Sequence, residues 1–137
     1  MINKIWTEKF GDDYHERNKL TEAQENARLT YFIMLAQMLA DGGKKALPKS
    51  ILEVGAGTGQ NLKALKKIID SNGLNIHLAG MEPNLTACDE LKKIDEKLDV
   101  INVNLPIQNT FDYKYEMVFT CGMLIHISPK YITEVNI

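Results

Sequence analysis

Several kinds of functional site are excluded by what this 137-residue sequence has little of. It contains two cysteines, Cys88 and Cys121, which lie far apart and form no clustered metal-binding or redox pattern. Its three histidines are also scattered, without the paired spacing that a metal site needs, so no metal is predicted. The net charge of −2 argues against a nucleic-acid partner, because binding to phosphates needs a positive surface.

Long hydrophobic runs are missing as well. The longest apolar-rich stretch, TYFIMLAQMLA, is too short and too interrupted to span a bilayer. The first ten residues, MINKIWTEKF, contain no apolar segment followed by a small-residue cleavage site, which is the pattern of an export signal. We therefore expect a protein of the cytoplasm with no membrane partner.

The composition, 45% hydrophobic and 25% charged, is that of one globular domain. Residues 1–20 have no clear period, and we interpret them as irregular chain or short helical turns. Thr21 is a candidate helix N-cap with Gln24 in capping-box spacing, and the helix that follows is expected to stop at Gly42–Gly43.

Strands and helices alternate through the rest of the chain. Strands are predicted at 51–54, 75–81, 100–103 and 115–120, and helices at 61–70 and 85–94, with a further helix beginning at Ser128–Pro129. This alternation implies right-handed crossovers and a parallel sheet. The predicted fold class is α/β with helices on both faces of the sheet.

The stretch ILEVGAGTGQN at 51–61 places three glycines, Gly55, Gly57 and Gly59, directly after a predicted buried strand. Such a turn lets the backbone approach a ligand closely, at the edge of the sheet where ligands bind in open α/β folds. The alternative is a tight turn that needs glycine for its dihedral angles alone. One glycine would satisfy that turn, so we interpret the loop as a binding site.

The glycine spacing favours one class of ligand over another. The dinucleotide fingerprint requires a third glycine where this chain has Gln60. The pattern from Glu53 to Gly59, acidic-x-Gly-x-Gly-x-Gly, instead resembles the first motif of class I S-adenosylmethionine-dependent methyltransferases. Glu82 ends the next predicted strand, where a carboxylate can accept hydrogen bonds from both ribose hydroxyls of either cofactor.

Four stretches together resemble the pseudaminic acid biosynthesis-associated methylases, class I enzymes linked to bacterial surface nonulosonate sugars. They are FGDDYHERN, LEVGAGTGQNL, GMEPN and CGMLIHISPKY. The resemblance implies the Rossmann-like class I methyltransferase fold with sheet order 3-2-1-4. It also implies S-adenosylmethionine as cofactor and methyl transfer to a small molecule, with a nonulosonate sugar or its precursor as the acceptor. The expected cofactor-binding residues are Tyr14, Arg17, Glu53, Gly55, Ala56, Gly57, Gly59, Asn61, Glu82, Pro83, Asn104, Thr120, Cys121 and Gly122.

Individual roles follow from this resemblance and from side-chain chemistry. Glu53 is expected near the cofactor amino group and Glu82 at the ribose. Asn104 stands where the family carries an Asp for the adenine amino group, and its amide carbonyl can accept the same N–H. Arg17 suits the cofactor carboxylate, although it can also pair with neighbouring acids on a solvated turn. His126 is the candidate catalytic base for a hydroxyl acceptor, and a packed core histidine is the alternative.

The expected domain organisation has two parts. Residues 1–45 should cap the cofactor cleft, and residues 46–137 should form the cofactor-binding core. Class I methyltransferases usually continue with three more strands, so we expect a chain truncated after strand 4 that self-associates through the unpaired edge of that strand. Two other functions stay open, namely an NAD(P)-dependent oxidoreductase and a non-catalytic cofactor-binding fragment.

Overall fold

A computed structural model describes residues 4–41, 47–103, 114–127 and 129 of the chain. The strands are β1 (Ser50–Val54), β2 (His77–Met81), β3 (Asp99–Ile101) and β4 (Met117–Phe119). The α-helices are α1 (Lys9–Arg17), α2 (Glu22–Ala40), α3 (Gln60–Ser71) and α4 (Leu85–Lys92), and short 3-10 turns occur at Lys4–Thr7 and Leu124–His126.

The four strands form one parallel sheet in the order β3-β2-β1-β4, which confirms the predicted order. β1 is the best-covered strand, because it pairs with β2 from Ser50 to Val54 and with β4 from Ile51 to Glu53. All five of its residues are buried. Since the strands are parallel, their carboxyl ends meet at one edge of the sheet, where ligands bind in folds of this type.

The two faces of the sheet have separate hydrophobic cores. On one face Ile51 packs with Leu62 of α3 and Leu91 of α4, and both leucines are fully buried. On the other face Leu52 and Met81 pack with described side chains that include Tyr115 and Met123. Truncation of a buried leucine to alanine costs about 2–5 kcal/mol, so α3 and α4 are firmly held to the sheet. This packing fixes the loops that lead into both helices.

Helix α2 packs on α3 and also contacts the sheet, because the Phe32 ring lies 5.9 Å from the Phe119 ring of β4. Thr21 and Gln24 form the predicted capping box, with reciprocal hydrogen bonds between side chain and backbone. Phe32 is the buried residue of this helix and packs with Ala64 and Ile68. The middle of α2 is thereby placed against α3.

The N-terminal segment, predicted as irregular chain or short helical turns, consists of the 3-10 turn at Lys4–Thr7 and the nine-residue helix α1, so the helical alternative is the one that the structure shows. Gly11 is its only buried residue, so α1 presents no apolar stripe to the core that a sequence pattern would reveal. The order comes instead from aromatic rings: Trp6 contacts Phe10 and Tyr14 edge to face, with ring centroids 5.2 and 5.1 Å apart.

Smaller differences concern the ends of the predicted elements. β3 and β4 are three residues each, shorter than expected, and α4 ends at Lys92. Both short strands are edges of the described sheet. Self-association through β4 stays a prediction. Asn104, the Gly42–Gly43 stop and the helix expected after Ser128–Pro129 lie in whole or in large part outside the described residues.

Candidate functional site

A cleft of about 380 Å³ lies at the carboxyl edge of the sheet, between the N-terminal segment and the ends of β1 and β2. Its volume is in the range of small-molecule sites. The predicted site residues that line it are Tyr14, Glu53, Gly55, Ala56, Gly57, Asn61, Glu82, Pro83, Cys121, Gly122 and His126. The fold therefore brings most of the predicted set to one place.

The glycine loop between β1 and α3 is held by the neighbouring strand. The N–H groups of Gly55 and Ala56 both donate to the Met81 carbonyl oxygen, at 2.9 and 3.0 Å. The φ angles of Gly55, Gly57 and Gly59 are +76°, +54° and +79°. Residues with a Cβ rarely adopt this left-handed region. The expectation that one glycine would satisfy this turn is wrong, since all three positions need glycine for their dihedral angles.

The three glycines nevertheless differ in what surrounds them. Gly55 and Gly57 line the cleft, whereas Gly59 is buried outside it. A Cβ at Gly59 would collide with the side chains of Ile94 and Leu91. Gly59 therefore serves the packing of the loop, whereas Gly55, whose added Cβ would collide with the Met123 side chain, and Gly57 border the cleft.

Glu82 follows β2 and is 5% exposed. One carboxylate oxygen accepts the N–H of Gly57 at 2.8 Å, and the other accepts the N–H of Asn84 at 3.0 Å. Burial raises the pKa of Glu82, and these two backbone hydrogen bonds oppose that rise. The main chain fixes the orientation of this carboxylate, and each oxygen keeps a lone pair for a hydroxyl group in the cleft.

Glu53 lies within β1, one residue before its end, and has a different environment. It is 1% exposed, one of its oxygens accepts the Asn61 amide N–H, and its Oε2 is buried with no partner among the described residues. Burial raises the pKa of Glu53 to about 8. A buried oxygen without a partner in the wall of a cleft is suited to a ligand that donates a hydrogen bond.

Arg28 of α2 completes this end of the cleft, although it was not among the predicted site residues. Its Nη1 donates to Asn61 Oδ1, and Asn61 in turn donates to Glu53. Two consecutive hydrogen bonds therefore link the guanidinium to the acid. Arg28, Asn61 and Glu53 all line the cleft. The only sequence signal was that Arg28 is the single basic residue of α2, and this does not show which way its side chain faces.

The N-terminal segment forms the opposite wall through Trp6, Tyr14, His15 and Asn18. His15 was interpreted as a scattered histidine, yet its Nε2 is buried in this wall without a partner among the described residues. Burial lowers the pKa of His15, which favours the neutral imidazole. The Tyr14 ring lies between the rings of His15 and His126, with centroids 5.7 and 5.9 Å away.

Other predicted residues lie elsewhere. Arg17 is exposed at the end of α1 and does not line the cleft. Thr120 is also outside the lining, and its hydroxyl oxygen is buried without a partner in the described part of the chain. Within residues 4–41, 47–103 and 114–127, no group of three His, Cys, Asp or Glu side chains could hold a metal ion, and no helix is long and apolar enough to cross a bilayer.

Comparisons with known proteins find likeness in structure but not in sequence. No family model and no curated protein sequence matches the chain. The plantazolicin methyltransferase BpumL in complex with SAH superposes with a TM-score of 0.57 at 19% identity, over 85% of this chain and 44% of that one. The same enzyme with a monoazolic desmethylPZN analog and SAH gives 0.56 at 20% identity, over 84% and 43%.

A third solved structure is the CcbJ methyltransferase from Streptomyces caelestis, with a TM-score of 0.52 at 18% identity over 84% of this chain and 43% of that one. The chain thus spans less than half the length of these proteins. At such identities the likeness concerns the fold. Together with the sheet order, it shows that this chain has the Rossmann-like fold of class I methyltransferases.

Proposed function

We propose that this chain binds S-adenosylmethionine and serves methyl transfer to a small-molecule acceptor. The observation that carries the proposal is the presence of a guanidinium and a buried carboxyl group at one end of the cleft. Arg28 offers a guanidinium and Glu53 an unpartnered carboxyl oxygen, on either side of Asn61. This arrangement is complementary to an α-amino acid, whose carboxylate would face Arg28 and whose ammonium group would face Glu53.

The second support is the position of Glu82 on the neighbouring strand. Its carboxylate is oriented by Gly57 and Asn84 and faces the same cleft as Glu53. A ligand with a ribose diol and an amino acid at its two ends would contact Glu82 and the Arg28–Glu53 pair together. S-adenosylmethionine has both groups, and the cleft of about 380 Å³ is of a size for such a ligand.

The methyl group of the bound cofactor is already activated by its sulfonium, so the protein mainly has to orient the acceptor and remove its proton. His126 lines the cleft and remains the candidate base for a hydroxyl acceptor. His15 is a second candidate, because its buried Nε2 belongs to the same cleft and its lowered pKa favours the form that accepts a proton.

For the acceptor we propose a nonulosonate sugar or a precursor of one. This rests on the resemblance of the FGDDYHERN, GMEPN and CGMLIHISPKY stretches to the pseudaminic acid biosynthesis-associated methylases. The rings of Trp6, Tyr14 and His126 line the cleft and offer surfaces on which the apolar face of a sugar can pack. A direct test is the formation of S-adenosylhomocysteine from S-adenosylmethionine with pseudaminic acid, against a simple alkylamine as control acceptor.

An NAD(P)-dependent oxidoreductase is the second candidate function, since Glu82 would also suit its ribose. Gln60, at the third glycine position of the dinucleotide fingerprint, begins α3 and donates from Nε2 to the Asn18 carbonyl oxygen at 2.9 Å. Its side chain is therefore bonded to the N-terminal segment beside the start of the helix, where a pyrophosphate would have to approach. A dinucleotide also has no amino-acid group for Arg28 and Glu53.

Calorimetry with S-adenosylhomocysteine, 5′-methylthioadenosine and NAD separates these functions. Methylthioadenosine lacks the amino-acid end, so we expect it to bind about 10- to 100-fold more weakly than S-adenosylhomocysteine, as charge-assisted hydrogen bonds are worth about 1.5–3 kcal/mol. Arg28→Met should abolish most of that difference and leave methylthioadenosine affinity unchanged. Binding of NAD in preference to both adenosine thioethers would overturn the proposal.

A further inference from the structure

Asn84 connects the floor of the cleft with the segment that covers it. Its side chain is 1% exposed, and Oδ1 accepts the Ala87 N–H at 2.8 Å as the N-cap of α4. Its Nδ2 donates to the Trp6 carbonyl oxygen at 3.1 Å and to Asp12 Oδ1 at 3.0 Å. Its backbone N–H donates to Glu82. One buried residue therefore contacts both the carboxylate of the site and the opposite wall.

The opposite wall is residues 4–18, which we call the cap segment. Gly11 is the only buried residue of its helix, while the rings of Trp6, Tyr14 and His15 line the cleft. A Cβ at Gly11 would collide with the Trp6 carbonyl oxygen and would come within 2.9 Å of Asn84 Nδ2. The cap segment therefore approaches the core closely at Gly11 and Asn84.

Few other polar contacts hold the cap segment in the described part of the chain. At its far end, Asn18 accepts a hydrogen bond from Gln60 at an exposed position. The hydrogen bonds from Asn84 and Thr86 keep the pKa of Asp12 below its usual range, so Asp12 is a charged acceptor for Asn84 at neutral pH. Asn84 thus supplies polar contacts to both Trp6 and Asp12, beside the ring contact of Trp6 with His126, while the exposed end of the cap segment competes with water.

We propose that Asn84 is a positioning residue that latches the cap segment over the cleft and couples its closure to ligand binding at Glu82. The proposal rests on the proposed function only in taking Glu82 as a contact of the ligand. The two hydrogen bonds from Nδ2 can break and reform without disturbing the sheet, so the cap segment can open for a ligand. A ligand that contacts Glu82 and the rings of the cap binds the closed form better, and by linkage it must stabilise closure.

Asn84→Ser is the variant that separates the latch from the helix cap. Serine is also a good N-cap, because its hydroxyl oxygen can accept the Ala87 N–H, but it cannot donate to both Trp6 and Asp12. We expect amide hydrogen exchange in α1 to become about tenfold faster, and S-adenosylhomocysteine affinity to fall by about tenfold, with exchange in β1 and α3 unchanged. The fluorescence of Trp6, the only tryptophan, should shift toward that of a solvated indole.

A charge swap provides the matched control. Asn84→Asp keeps an N-cap oxygen but faces Asp12 with a second carboxylate, so it should open the cap segment further than Asn84→Ser does. Adding Asp12→Asn restores one donor and one acceptor at this contact. It should recover part of the protection of α1 from hydrogen exchange and part of the affinity for S-adenosylhomocysteine. Failure of the double variant to recover anything would contradict a direct latch.

The remaining outcomes also decide between the two proposals. If Asn84→Ser keeps wild-type exchange in α1 and wild-type affinity, the latch is refuted. If it does not fold, Asp12→Ala removes one of the two hydrogen bonds of Asn84 Nδ2 with the α4 cap intact, and the same readouts should change in the same direction by a smaller amount. If the wild-type chain binds neither S-adenosylhomocysteine nor methylthioadenosine, the proposed function fails, while exchange in α1 still tests whether Asn84 holds the cap segment.

Discussion

Two buried carboxylates stand near the ends of neighbouring strands, and they are held in different ways. Glu82, after β2, accepts backbone N–H groups on both oxygens. Glu53, in β1, has one oxygen on the Asn61 side chain and the other without a partner in the described chain. The carboxylate at the β2 end is thus held by the main chain, whereas the β1 end contains an acid whose environment is unfavourable until a hydrogen-bond donor binds. Such perturbed groups are concentrated at functional sites.

The largest expected effect is the response of stability to pH, which exposes the unfavourable environment of Glu53. Its pKa is raised from 4.5 to about 8 on folding, so the folded protein holds a proton that the unfolded chain has released. Below about pH 4.5 the carboxyl is protonated in both states and the fold has its full stability. As pH rises from there to about 8, the free energy of unfolding falls, on the order of 3–5 kcal/mol in all. Denaturant unfolding between pH 5 and pH 9 measures this loss.

Glu53→Gln is the control for that experiment, because it keeps the shape and cannot titrate. Its free energy of unfolding should fall less between pH 5 and pH 9 than that of the wild type. Part of the decline should remain, since burial also raises the pKa of Glu82. Parallel curves for the two proteins would mean that Glu53 is not the group that titrates.

The second prediction applies the same Glu→Gln change to the other strand. At Glu82 the amide would turn an N–H₂ group toward one of two backbone N–H donors, Gly57 or Asn84, so a buried donor loses its partner. We expect Glu82→Gln to lower the free energy of unfolding by about 2–3 kcal/mol at pH 7 and to weaken adenosine binding by about 100-fold. Thermal unfolding and calorimetry measure these two losses.

The third prediction is that Glu53→Gln and Glu82→Gln change the free energy of unfolding differently. At Glu53 the same change leaves an oxygen for Asn61 and adds no conflict with a described donor, so Glu53→Gln should match or exceed wild-type stability at pH 8. It should still weaken S-adenosylhomocysteine more than methylthioadenosine, because only the former has an ammonium group. Equal destabilisation by both variants would show that the two carboxylates are alike.

The sequence was sufficient for the parts of the site that follow directly from strand ends. Glu53, Glu82 and the glycine loop lie where the pattern predicts, because the carboxyl ends of parallel strands must meet at one edge. The α2 capping box was predicted from local residue spacing, whereas the sheet order was predicted from the resemblance to class I methyltransferases.

The parts that were missed depend on packing between distant segments. Arg28 reaches the cleft because Phe32 fixes α2 on Ala64 and Ile68, and no local pattern states that contact. The cap segment is placed by a contact between Asn84 and Trp6, 78 residues apart. The raised pKa of Glu53 likewise comes from burial, which an acidic residue next to glycines does not reveal.

A smaller effect is expected at Asn61, which supplies the only described hydrogen bond of Glu53. Asn61→Leu would leave that carboxyl without a donor and Arg28 without its acceptor, so the free energy of unfolding should fall by about 1–2 kcal/mol. The loss should be greater at pH 8 than at pH 5, because the ionised form of Glu53 needs the donor most. Urea unfolding of Asn61→Leu and of the Asn61→Leu/Glu53→Gln double variant tests this, and an undiminished loss in the double variant would contradict it.

The smallest effect is expected at Arg17, and it decides which arginine belongs to the β1 end. Side-chain chemistry alone made Arg17 a candidate for the cofactor carboxylate, but it is exposed and outside the cleft lining, whereas Arg28 is linked to Glu53 through Asn61. We expect Arg17→Met to change stability by less than about 0.5 kcal/mol, as at ordinary surface positions, and S-adenosylhomocysteine affinity by less than about twofold. Arg28→Met, the same change of side chain at the other site, should weaken that ligand by about tenfold or more. Calorimetry of both variants is the measurement. A large loss of affinity with Arg17→Met and none with Arg28→Met would mean that the cap segment contacts the ligand carboxylate. Arg28 and Glu53 would then serve the fold alone.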